Sequence, residues 1–242
     1  MRHFPESGGS TGGTPPGDTE SPVTDRAEEG ATAERKREVR RDLQAVRAAM
    51  TAEEALEAAE SLTARVLSLP EIAEARTVAA YVAVGREPGT RPLLEELRRR
   101  GVRLLLPVLL PDDDLDWAAY EGPESLRETE HGMGRVRLFE PAGERLGPEA
   151  VREAEVVLLP GLAVDARGVR LGRGGGSYDR ALARLIATGA RSTTGGGPLL
   201  AVLLYGHEVV DELPRETHDR PVHLAVTPEG THRFGDPRPT TD

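Results

Sequence analysis

The residues best placed to do chemistry lie in the run Val156 to Leu185, VVLLPGLAVDARGVRLGRGGGSYDRALARL. It reads as a buried strand, a loop carrying Asp165, a turn dense in glycine, and a helix. Glycines 172, 174, 175 and 176 allow positive φ and close approach of backbone to a ligand. The helix that follows offers unpaired N–H groups and the positive end of its dipole. Arg170 and Arg173 add fixed positive charge, so the turn suits an anion such as a phosphate chain. It matches neither the Gly-Lys-Ser/Thr ending of a P-loop nor the strict G-x-G-x-x-G dinucleotide spacing. A plain flexible turn is the competing reading, with Arg170 then a surface arginine, Asp179 a helix cap and Tyr178 a partly buried anchor rather than a hydroxyl donor.

Lys36 and Arg40, four residues apart, would share one helix face and could reach one triphosphate. By itself, a basic run at a helix start is more often a solvated surface. Glu87, in YVAVGREPGT, stands just past the carboxyl end of a predicted strand, where open parallel sheets bind ligands. Val82, five residues earlier, lies within the predicted strand and on pattern alone reads as core. His207-Glu208 has the start of a zinc-protease helix motif, but the residue four beyond His207 is Asp211, so that reading fails.

This glycine-arginine segment resembles the nucleotide-binding signature of the 5-formyltetrahydrofolate cyclo-ligase family, commonly RLG(Y/R)GxG(Y/F)YDR followed by an apolar helix. The resemblance runs in order from Lys36 to Thr227. It implies that ATP is held by Lys36, Arg40, Arg170, Leu171, Gly172, Arg173, Gly174, Gly175, Gly176, Ser177 and Tyr178, with Arg170, Arg173 and Tyr178 serving catalysis. It further implies folate contacts at Val82 and Glu87, and Mg2+ carried by Asp179 and by Asp219 of LPRETHDRPVHLAVT. The expected substrate is 5-formyltetrahydrofolate, cyclised at the expense of ATP to 5,10-methenyltetrahydrofolate. Ser177 stands where the family usually has an aromatic residue. The family's Gly-Ile-x-Glu-Pro appears as Arg137-Leu138-Phe139-Glu140-Pro141, which keeps Glu-Pro and loses the glycine. Two other readings stay open: an α/β enzyme using the same anion site without folate, and a nucleotide- or folate-binding module without turnover.

The elements that must position these groups follow from hydrophobic pattern. TVAAYVAV at 77–84 reads as a buried strand; Thr90 and Pro92 open a helix that Gly101 closes; VRLLLPVLL is the next strand. Continuous apolar strands joined by an amphipathic helix predict a parallel sheet covered on both faces. Further strands are expected at Val156–Leu159, Leu199–Leu204 and Val222–Thr227, and a helix near Tyr178. Before the sheet, Leu43, Val46, Ala49 and Met50 recur at helical spacing, and Thr51 with Glu54 forms a capping-box pattern for a second helix to about Leu67. The expected fold class is α/β; the resemblance sharpens this to a three-layer α/β/α sandwich with a central, mostly parallel sheet.

Residues 1–33, rich in Gly, Ser, Thr, Pro and Glu, are expected to be a disordered extension, 34–228 the α/β domain, and 229–242 a C-terminal tail. The 242-residue chain has a net charge of −10, with 41 acidic against 31 basic residues, which disfavours nonspecific attraction to nucleic acid or anionic membranes. It has no cysteine, which excludes disulfides, thiolate nucleophiles and Cys-based zinc sites. No segment reaches the roughly 18 apolar residues of a membrane span. A monomeric, cytoplasmic protein is expected.

Overall fold

The computed structural model of the chain describes residues 22–131, 136–187, 197–216 and 219–235. The first helix, α1 (Pro22–Ala49), begins upstream of Glu34, inside the stretch read as disordered. Alanine, glutamate and arginine in PVTDRAEEGATA are strong helix formers and Pro22 suits a first helical position, so helix can form there without the burial that the pattern lacks. Residues 1–21 lie outside the described residues. Thr51 and Glu54 form the expected capping box on α2 (Ala52–Leu67), with Thr51 Oγ1 accepting the Glu54 N–H and the Glu54 carboxylate accepting the Thr51 N–H. A single turn, α3 (Pro70–Glu74), leads into the sheet.

Strand β1 (Thr77–Ala79), helix α4 (Arg91–Arg99) and strand β2 (Arg103–Leu109) form the predicted β-α-β unit, with β1 and β2 parallel in the register Val78↔Leu104. The strand is shorter than the apolar run suggested. Only its first residues pair, while Ala80–Val82 stay buried as they leave the sheet toward Glu87. The antiparallel strand β3 (Leu115–Ala119) returns beside β2, and the hairpin β4 (Leu126–His131) and β5 (Val136–Pro141) follows. Next come β6 (Val156–Pro160), β7 (Ala163–Asp165), β8 (Arg170–Leu171), α5 (Ser177–Ala187), β9 (Leu199–Leu203), β10 (Val209–Val210), β11 (Leu224–Val226) and β12 (Thr231–Arg233).

The main sheet runs β12-β11-β9-β6-β1-β2-β3. Its five central strands are parallel, and β3 and β12 close the two edges antiparallel. Alternate residues of each strand serve opposite layers, as the two-residue period of a strand requires. Val156 and Leu158 pack with Leu62, Val66, Leu94 and Leu97 of α2 and α4, whereas Val157 and Leu159 pack with Leu182 and Leu185 of α5 and with Trp117. The architecture is therefore the three-layer α/β/α sandwich. The stretch expected as a tail contains β12, which folds back after Gly230 and pairs with β11, while Arg233 forms an ion pair with Glu71; residues 236–242 are outside the described residues. No helix among the described residues is long and apolar enough to cross a membrane.

A second, three-stranded sheet, β10-β7-β8, lies against α1, where Val39 and Leu43 pack with Ala163, Leu171 and Leu213. Val46, read as part of the same apolar face, is instead exposed. The end of α1 is fixed by Arg47 rather than by apolar contact. Its guanidinium donates to both oxygens of Glu208, at 2.5 and 2.8 Å, and to the carbonyl of Gly161 at 2.6 Å. Both partners are almost fully buried. Removing one leaves the other charged and unpaired, so Glu208→Ala is expected to cost about 3–5 kcal/mol. A thermal melt should read this as a fall on the order of 10 °C; a shift within about 2 °C would mean that the pair does not hold α1 in place.

Candidate functional site

At the carboxyl ends of β1 and β6 the chain encloses a cavity of about 360 Å³, within the usual size of small-molecule sites. One wall is the turn between β8 and α5, contributing Gly172 to Gly176, Ser177, Tyr178 and Asp179, backed by Arg170. Opposite lie Tyr81, Val82 and Glu87 from the chain leaving β1. The third wall is the β4–β5 hairpin, through His131, Leu138, Phe139 and Glu140.

The turn adopts positive φ at Gly174 (+100°) and Gly176 (+72°), conformations that residues with a Cβ rarely adopt. Gly172 is needed for a different reason, since a Cβ there would meet the Arg170 guanidinium at 2.8 Å. Arg170 is buried, donating to the Pro160 carbonyl at 3.0 Å and to Asp179 Oδ1 at 2.8 Å, while its Nε has no partner. Arg173 is half-exposed and pairs with Glu87 at 3.2 Å. The two signature arginines are thus unlike each other. Arg170 is built into the floor, and Arg173 is a half-exposed arm reaching across the cavity to Glu87 and, at 3.5 Å, to the Val84 carbonyl.

Glu87 is only 7% exposed, and its Oε2 accepts the Val84 N–H at 2.8 Å. Burial raises its carboxyl above the ordinary range, with Arg173 and the Val84 N–H partly opposing that rise. Burial likewise raises the Tyr178 phenol, so it stays protonated at neutral pH, with one O–H to donate and an oxygen that can still accept. Tyr81, which the sequence reading passed over, carries a buried hydroxyl with no partner at the cavity wall. Val82 is a buried core residue that also lines the cavity.

Other expected site residues are placed differently. Leu171 turns its side chain into the small core beside α1 and does not line the cavity. Lys36 and Arg40 share a face of α1 but lie outside the lining. Lys36 Nζ sits 2.7 Å from both Glu216 Oε2 and Asp219 Oδ2, so an incoming phosphate must compete with two carboxylates for it. Arg40 Nε donates to the Gly172 carbonyl at 2.8 Å, gripping the turn from its outer side. His218, beside Asp219, lies outside the described residues.

For a divalent cation, no group of three or more His, Asp or Glu converges among the described residues. Asp179 nevertheless fits the way magnesium is commonly held, by one or two carboxylates together with phosphate oxygens. It lines the cavity, is 38% exposed, and uses only one oxygen on Arg170. Asp219 does not line the cavity and is taken up by Lys36 and by the Glu216 N–H.

The hairpin residues were legible only as the remnant Glu140-Pro141. Glu140 is buried, accepting the Leu109 N–H and the Thr129 hydroxyl at 2.8 Å each, with His131 Nε2 3.2 Å away. It locks the hairpin over the cavity.

A sequence model of the 5-formyltetrahydrofolate cyclo-ligase family matches residues 32–228. The chain belongs to that family. It is accordingly an enzyme of the cyclo-ligase type. It is 42% identical over 159 residues to the 5-formyltetrahydrofolate cyclo-ligase of Mycolicibacterium smegmatis, covering 64% of this chain and 74% of that one. With the Escherichia coli K12 cyclo-ligase it shares 32% identity over 186 residues, covering 75% and 94% of the two chains. In structure it is similar to 5,10-methenyltetrahydrofolate synthetase of Aquifex aeolicus, with a TM-score of 0.66 at 29% identity and coverage of 86% and 96%.

Proposed function

We propose that this cyclo-ligase converts 5-formyltetrahydrofolate to 5,10-methenyltetrahydrofolate, consuming ATP and releasing ADP and phosphate. What supports this is the continuity of one cavity from the glycine-arginine turn to the buried Glu87. A polyanion at the first and an organic amide at the second would meet end to end.

A formamide is a weak electrophile because its nitrogen lone pair is delocalised into the carbonyl, and its oxygen is a poor leaving group. Activation is therefore required. In this reading the formyl oxygen forms a bond to the γ-phosphorus as the bond to ADP breaks. The neighbouring folate amine N10 then adds to the formyl carbon. Loss of phosphate with the former formyl oxygen, and of the N10 proton to solvent, leaves the methenyl bridge.

Such transfers need positioning and positive charge more than protein nucleophiles. Arg173, on leaving Glu87 and the Val84 carbonyl, reaches the transferred phosphoryl, and Arg170 supports Asp179 and the turn from below. Lys36, released from Glu216 and Asp219, adds charge to the phosphate chain, while Arg40 shapes the turn. Gly172, Gly174, Gly175, Gly176 and Ser177 offer backbone donors. Tyr178 supplies a hydroxyl, and Val82 and Glu87 contact the folate. Magnesium on Asp179 would neutralise phosphate charge; Asp219 would join it only by leaving Lys36. We place the enzyme in the cytoplasm as a monomer.

Purified protein given ATP, magnesium and 5-formyltetrahydrofolate should develop the near-ultraviolet chromophore of the methenyl product, and none when ATP is omitted. Silence with all three present would falsify the proposal.

A further inference from the structure

Arg180 is exposed, lies outside the cavity lining, and is assigned no part in the reading above. Its Nη2 nonetheless joins two walls of the cavity. It donates to the carbonyl of Asp113, in the turn between β2 and β3, at 2.6 Å, and to the carbonyl of Gly175 at 3.3 Å. Asp113 has φ +63°, the one positive φ outside glycine among the described residues. Such a conformation persists only when its surroundings enforce it. Arg184 ties the same β2–β3 turn to α5 through Asp114. The glycine turn is thus held from outside at two carbonyls, Gly172 by Arg40 and Gly175 by Arg180.

The consequence follows from peptide geometry. In a planar trans peptide the carbonyl and the next N–H point in opposite directions. Drawing the carbonyls of Gly172 and Gly175 outward therefore turns the N–H groups of Arg173 and Gly176 the other way. An anion site needs this, because a carbonyl rotated inward would meet a phosphate oxygen with like partial charge. The geometry points to Arg180 as a positioning residue that holds the glycine turn in its phosphate-receiving form and fixes it to the β2–β3 turn. This rests on the reading of that turn as the nucleotide site.

Arg180→Met keeps the unbranched apolar stem and the helix propensity but removes every donor. It is expected to raise KM for ATP roughly tenfold, to change KM for 5-formyltetrahydrofolate by less than about twofold, and to leave the melting temperature within about 2 °C of the parent. Arg180→Lys, whose single ammonium is a poorer match to two carbonyls, should recover part of the loss. An unchanged KM for ATP in both variants overturns the inference. So does an equal rise in both KM values, or a lowered melting temperature with KM for ATP intact, since these mark a role in the fold alone. Should the parent enzyme itself neither bind nor consume ATP, the nucleotide reading falls and this inference falls with it; a failure confined to the variants leaves that reading standing.

Discussion

Arg173→Ala is expected to lower kcat/KM for ATP by about 10²–10³-fold, the size of effect seen when one preorganised donor to a developing charge is removed. The melting temperature should hardly move. Arg173 is half-exposed, so solvent screens its pairing with Glu87, and the buried carboxyl left behind can take up a proton rather than stay charged and unpaired. The variant should also betray itself in pH dependence. Arg173 is the largest of the influences that oppose the burial-driven rise of the Glu87 carboxyl. Without it that carboxyl rises further, so any limb of the rate profile that reports Glu87 ionisation moves to higher pH. A parallel loss of activity and melting temperature would instead make Arg173 a structural residue.

Glu87→Gln should separate function from stability in the opposite sense. The substitution is expected to lower kcat/KM for 5-formyltetrahydrofolate by roughly 10- to 100-fold, the worth of a hydrogen bond to a charged group. KM for ATP should stay close to that of the parent. Because burial raises the folded-state pKa of Glu87 above its unfolded value, the carboxylate subtracts stability above that folded pKa. The penalty fades as pH falls through the folded pKa toward the unfolded one. Glutamine carries no such penalty and can still accept the Val84 N–H. The variant should therefore melt at or above the parent temperature at pH 7, with the difference shrinking toward pH 4. A variant less stable than its parent at neutral pH would mean that Glu87 earns its place through the fold.

Where sequence pattern was dense, structure was legible. Thr51 and Glu54 announced their capping box, and the apolar runs at 77–84, 102–110 and 156–159 gave the parallel core, because strands buried on both faces have no solvent side to interrupt them. Leu115–Ala119 was missed since an edge strand opening with alternating Asp and apolar residues in DDDLDWAA gives only a brief signal. The hairpin RETEH and VRLFEP is half-solvated and strongly charged, so neither period stands out, and its value to the site comes from docking over the cavity. Short polar strands depend on such tertiary contacts rather than on local preference.

The site shows the same division. Four glycines interleaved with Arg170 and Arg173 pointed to a turn suited to an anion, and local spacing placed Lys36 and Arg40 on one face. Spacing could not show that Lys36 is held by Glu216 and Asp219, some 180 positions along the chain, or that Leu171 turns away from the cavity into the core beside α1. Nor could it rank the arginines. Arg170 is buried against the Pro160 carbonyl and Asp179, Arg173 reaches Glu87, and Arg180 joins two turns, although all three fall within eleven residues. Those distinctions arise from which strand ends the turn is packed against.

The proposed transfer of phosphoryl to the formyl oxygen is open to a direct isotopic measurement. With 5-formyltetrahydrofolate carrying ¹⁸O in its formyl group, one turnover with ATP and magnesium in ordinary water should deliver the label into inorganic phosphate in proportion to the methenyl product formed. Unlabelled phosphate, with the heavy oxygen recovered in water, would contradict the account, because the formyl oxygen would then have left without ever being bonded to phosphorus.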